Sequence, residues 1–164
     1  MSAAGGTDDL GIRFQGECAG DARGIGAKRR ARLAAVQFMY QCEVTGGCTP
    51  DAAKDFTETY VDRETDVRFL KKLFADFQKD VDLDAVVLNA LAEKQNFTNV
   101  SLVEKCIVKV ATAEMIFEKT DIPVVINEYI EIAKAFVDKN ATKFVNALLD
   151  KISKSIERRC PKEA

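Results

Sequence analysis

Apolar residues recur at spacings of three and four along almost the whole stretch from Lys28 to Glu157, and no stretch alternates with the period of two that a half-buried strand requires. The clearest case is Val67, Leu70, Phe74, Phe77 and Val81, whose spacing predicts an amphipathic helix over 65–81. Upstream, Leu33, Val36, Phe38, Met39 and Tyr40 give a first helix over 28–42, closed by Thr45-Gly46-Gly47. Thr49-Pro50 is an N-cap followed by proline at the first helical position, so a short helix starts there. Leu83, Val87, Ala90 and Leu91 continue with another short one. Ser101-Leu102-Val103-Glu104 is a capping box in front of a helix running to Phe117. Asp121-Ile122-Pro123 is expected to be a turn, with helices following over 124–136 and 141–157. The fold class this predicts is all-α, with six or seven helices.

Seven of the nine glycines fall before residue 27, so residues 1–26 read as a flexible glycine-rich tail, 27–158 as the helical domain and 159–164 as a short C-terminal tail. No apolar run approaches the length that spans a bilayer, and the N-terminus lacks a secretory signal; a cytoplasmic address is expected. The five cysteines are irregularly spaced, without a C-x-x-C pair, and are expected to be free thiols.

Histidine is absent from all 164 residues, which removes the commonest metal ligand and the commonest general base together. A serine nucleophile would need another base, and no G-x-S-x-G elbow occurs. Glu114 with Glu118, and Glu128 with Glu131, place carboxylates on one helix face, but without histidine they read as solvated surface. The chain is therefore read as a binding protein without enzymatic activity, metal or cofactor.

The net charge of −2 hides an asymmetry. Arg23, Lys28, Arg29, Arg30 and Arg32 give the acid-free segment 22–42 a charge of +5, leaving −7 for the rest. Four of these cations crowd the start of the first helix, where each opposes the helix dipole by ~0.3–1 kcal/mol when exposed. A polyanion would justify that cost. Tyr40 lies eight residues beyond Arg32, so an aromatic platform and the cations could share one helix, as single-stranded RNA binding uses, although a half-buried Tyr40 fits the spacing at least as well.

Three segments carry a family resemblance. Residues 27–40, AKRRARLAAVQFMY, resemble the opening helix of the NusB family of bacterial transcription antitermination factors. Residues 126–136, INEYIEIAKAF, are similar to its I-N-E-x-x-E-L-A-K-x-F helix, and residues 143–152, KFVNALLDKI, to its K-F-V-N-G-V-L-D-K closing helix. They stand in the family's order and roughly its spacing. The resemblance implies two small helical bundles packed crosswise, and binding of the single-stranded boxA element in leader and ribosomal RNA transcripts. It also implies a small-subunit ribosomal protein partner, called NusE, and a role in carrying RNA polymerase through terminators in ribosomal RNA transcription. By position, Lys28, Arg29, Arg30 and Arg32 match the arginine-rich RNA-binding motif; Lys143 and Phe144, with neighbouring Asn140, match a second RNA-facing patch. Tyr40 and Glu104 match the ribosomal-protein interface, although Glu104 is also the third helical residue of the capping box and Phe144 also suits a core. The chain departs from the family pattern at Lys109 (usually arginine), at Val137 and Ala147 (usually glycine), and in a loop after Pro123 about two residues shorter.

Two other readings compete. One is the domain that precedes some ribosomal RNA cytosine methyltransferases; the other is a protein-interaction module without an RNA role. If about four cations each meet a phosphate, the salt slope of single-strand binding is about −3, or about fifty-fold in affinity between roughly 50 and 200 mM salt.

Overall fold

The computed structural model describes residues 26–91 and 100–159, so the expected tails at 1–26 and 159–164 lie outside the described residues except for Gly26 and for Arg159, which ends the last helix. Within these limits the protein is all-α: α1 (Ala27–Thr45), α2 (Pro50–Tyr60), α3 (Val67–Asp76), α4 (Leu83–Leu91), α5 (Leu102–Phe117), α6 (Ile122–Phe136) and α7 (Lys139–Arg159). They form two small bundles, α1–α3 and α4–α7, with α5 packed against α1 and α3 as well as α4, α6 and α7.

The local signals act as chemistry dictates. Gly46 at the end of α1 adopts φ 88°, a left-handed turn that favours glycine. The Thr49 hydroxyl accepts from the Ala52 N–H at 3.1 Å, and Pro50 opens α2. The capping box closes both ways: Ser101 Oγ accepts from the Glu104 N–H, and Glu104 Oε2 from the Ser101 N–H. Phe38, Phe56 and Phe74, one from each helix of the first bundle, meet with ring centroids 4.5–6.2 Å apart, and this cluster fills its core.

Several boundaries differ from the sequence expectation, α1 among them, which runs to Thr45 rather than to Cys42. α3 stops at Asp76 although the apolar spacing continues, because the Gln78 and Lys79 N–H groups turn back to carbonyls three residues behind. The proline signal at 121–123 is the first turn of α6 itself, with Asp121 at its N-cap. α7 begins at Lys139, two residues early, because Asp138 accepts from the Ala141 N–H at 2.8 Å.

The expectation of free thiols is corrected at Cys42 and Cys48, which form a disulfide. The left-handed turn at Gly46 folds the chain back, with the Gly46 and Gly47 N–H groups both on the Cys42 carbonyl. The two Cα atoms thereby come within 5.0 Å, inside bridging range. Cys106 is a free thiol, fully buried, and burial pushes its pKa up to about 12.

Candidate nucleic-acid interface

The cations of the first helix do not form one uniform face. Gly26 caps α1 without a side chain, and no acidic residue stands in its first turn. The negative charge that the helix start lacks is delivered by other elements. Lys28 is exposed, with its ammonium 5.5 Å from the Phe69 ring centre. Arg29 forks onto Glu128 of α6: Nε donates to Oε2 at 2.7 Å and Nη2 to Oε1 at 3.1 Å. Arg30 meets Asp62 and Glu64, in the link between α2 and α3, each at 3.1 Å.

Arg32 behaves differently and turns inward. It is only 4% exposed. Its Nε and Nη2 donate to Glu114 of α5, the shorter contact to Oε1 being 2.8 Å. The Phe69 ring lies 5.1 Å from the guanidinium carbon. Tyr129 Oη donates to Glu114 Oε2 at 2.8 Å, and Arg32 Nη1 stands 3.7 Å from Glu128. A ladder thus runs from core to surface: Tyr129, Glu114, Arg32, Glu128, Arg29. Burial alone would lower the Arg32 pKa, but the hydrogen bond and charge of Glu114 outweigh it and raise the value. Burial, then the neighbouring Glu114 charge, holds the Tyr129 hydroxyl protonated well above its usual range. For Glu128 the Arg29 fork outweighs the opposing burial and lowers the carboxyl pKa.

Glu114 is therefore no solvated residue, and Glu128 is mostly covered. The signal that could have found Glu114 is its setting. From Cys106 to Met115 every residue of α5 is buried, so the helix is enclosed on all sides and a carboxylate in it needs a partner. Lys109, in the same run, meets Glu43 of α1 and Asp84 of α4, the latter at 3.1 Å.

The second patch lies on α7. Asn140 and Lys143 are exposed, while Phe144 is half-buried against the core. α7 packs chiefly on α4, α5 and α6, and α1 on α3 and α5, with a smaller contact to α6. α5 and α6 are therefore the elements that both patch-bearing helices share. Tyr40 is half-buried on the core, and Glu104 is 8% exposed, with its carboxylate in the capping box. The spacing of Tyr40 favoured this half-buried placement, and of the cations on its helix Arg32 points into the ladder.

Comparison with known proteins gives a consistent picture. Residues 29–154 match the NusB family. A transcription antitermination protein NusB from Shewanella loihica is 39% identical over 129 residues, covering 76% of this chain and 93% of that protein. Its counterpart from Shewanella baltica is 41% identical over the same span. Among solved structures, T. maritima NusB aligns with a TM-score of 0.64 at 30% identity, over 79% of this chain and 93% of that one. A structure described as antitermination factors NusB and NusE in complex with double-stranded RNA aligns at a TM-score of 0.66 and 25% identity, over 77% and 96%.

Proposed function

This chain belongs to the NusB family, and from that premise we propose that it is a cytoplasmic transcription antitermination factor. It binds boxA-type single-stranded RNA together with the ribosomal protein NusE, and supports ribosomal RNA transcription. It acts by binding, with no catalytic step. The observation that carries the RNA reading is the start of α1, a turn with three cations and no acid of its own, in which Lys28 is exposed and Arg29 and Arg30 are partly so. Residues 27–158 make up the RNA-binding domain, flanked by the tails 1–26 and 159–164.

Lys28, Arg29 and Arg30 supply one part of the RNA contact, and Lys143, Asn140 and the accessible edge of Phe144 supply the other. Arg32 contributes from beneath, by holding the helix start against α5 and α6. Tyr40 and Glu104 belong to the NusE side. The open surface of Tyr40 offers an aromatic contact, while Glu104 acts by fixing the start of α5.

With Arg32 withdrawn, about three cations meet phosphates, and the salt slope falls from about −3 to about −2. Raising salt from roughly 50 to 200 mM then weakens binding by about fifteen-fold. The test measures binding of a boxA-type single strand, a scrambled strand and a boxA duplex, each with and without NusE. Tighter binding of the boxA strand, strengthened by NusE, is expected. Equal binding of all three RNAs, unchanged by NusE, would overturn the reading, and a flat salt response would remove its electrostatic part.

A further inference from the structure

We propose that Glu128 is a positioning residue for RNA recognition, holding the Arg29 guanidinium in the orientation that RNA meets; this deepens the RNA-binding reading above and rests on it. Arginine side chains at a helix start are long and rotamer-rich, and an untethered one contacts any phosphate equally well. Arg29 is tethered: Nε and Nη2 donate to Oε2 and Oε1 of one carboxylate at 2.7 and 3.1 Å. This two-point fork fixes the guanidinium plane, while the Arg29 side chain remains 31% exposed.

Glu128 is itself held. Its side chain is 18% exposed, and Oε2 also lies 3.7 Å from Arg32 Nη1. Arg32 in turn is locked on Glu114, which accepts from Tyr129. The orientation of a surface arginine is thus set by a ladder anchored in the core. RNA gains more from a guanidinium already aimed than from pulling Glu128 away, because displacement would break the fork and leave a covered carboxylate without its main partner. Charge counting alone predicts the reverse, with Glu128 as a competitor for Arg29 whose neutralisation strengthens binding. The two accounts give opposite signs.

The experiment compares the full chain with Glu128→Gln, which keeps the shape and removes the charge. Binding to a boxA-type strand and to a scrambled strand of the same composition is measured over a salt series, alongside thermal melting. The preference of Glu128→Gln for boxA over the scrambled strand should fall by about five-fold, although the variant is one charge more positive and its affinity for the scrambled strand does not drop. Arg29→Lys keeps the charge but cannot fork, and should lose the preference to the same degree; the double variant should lose no more. An undiminished or increased preference in Glu128→Gln overturns the proposal in favour of the competitor account. Should Glu128→Gln fail to fold, Arg29→Lys carries the decision, and an unchanged preference there overturns it equally. Indifference of the wild-type chain to the two RNAs would remove the RNA reading and this inference with it, whereas discrimination by the wild type that survives in the variants removes the inference alone.

Discussion

α1 is tied to α5 by an ion pair towards each end, and the two ties are built in opposite senses. Towards the N-terminus α1 gives the cation, Arg32, and α5 the carboxylate, Glu114; towards the C-terminus α5 gives the cation, Lys109, and α1 the carboxylate, Glu43. The first pair is sealed, with side-chain exposures of 5% and 0%, and every contact is directional. The second sits at the rim: the Lys109 ammonium is covered, but Glu43 and Asp84 reach solvent, with side-chain exposures of 26% and 61%. A guanidinium can bridge two carboxylates in fixed geometry and so relay order from Tyr129 out to Arg29. An ammonium is a point charge that gathers carboxylates without aiming them. The difference makes the N-terminal tie a device for placing side chains and the C-terminal one a clamp.

Removing Glu114 should produce the largest effect. Glu114→Ala strands a covered guanidinium and the Tyr129 hydroxyl, and should cost ~3–5 kcal/mol in urea unfolding. A loss under about 1 kcal/mol would mean that the sealed pair does not anchor the helix. Lys109→Met keeps the length of the side chain and leaves two carboxylates that can turn to water, so a loss of ~1–2 kcal/mol is expected. The same tie should weaken in alkali. Burial lowers the Lys109 pKa, but the hydrogen bonds it donates to Glu43 and Asp84 outweigh it and the value rises above 10.5. Its contribution is then complete below pH 10.5 and disappears as pH climbs through the raised value, a limb that Lys109→Met should abolish.

The smallest effect belongs to Glu128. Its folded pKa is lowered from 4.5, so its contribution is present above that value and is lost as pH falls through the depressed one. A shallow decline in stability on the acid side, reduced in Glu128→Gln, is the expected result of urea titrations across that range. Alkali should therefore loosen one end of α1 and acid the other.

The helices were readable because their signals are local. Thr49-Pro50, Ser101 with Glu104, and Gly46 each act within a few residues. The errors at 76, 122 and 139 came from turns whose hydrogen bonds periodicity does not encode. The basic start of α1 was also legible, as was the dipole penalty it carries. What offsets that penalty was not legible, because Glu128 lies 99 residues beyond Arg29 and Glu114 lies 82 beyond Arg32. For the same reason Arg32 read as a surface cation: one cation among four looks alike until packing turns it inward. The disulfide was not legible because Cys48 follows Cys42 by six positions in no recurrent pattern, and only the left-handed turn at Gly46 brings them together.

The length of the Arg29–Glu128 separation also orders events during synthesis. A ribosome adding about 5–20 residues per second takes roughly 5–20 s to travel from Arg29 to Glu128. Throughout that interval Arg29 emerges without the carboxylate that restrains it in the finished fold. The nascent chain is thus more cationic at its leading end than the mature protein, and closest to the polyanions of its own translation machinery. Asp62 and Glu64 reach Arg30 first, α5 then brings Glu114 to Arg32, and α6 brings Glu128 to Arg29, so the restraint of the helix start is completed only with the last third of the chain.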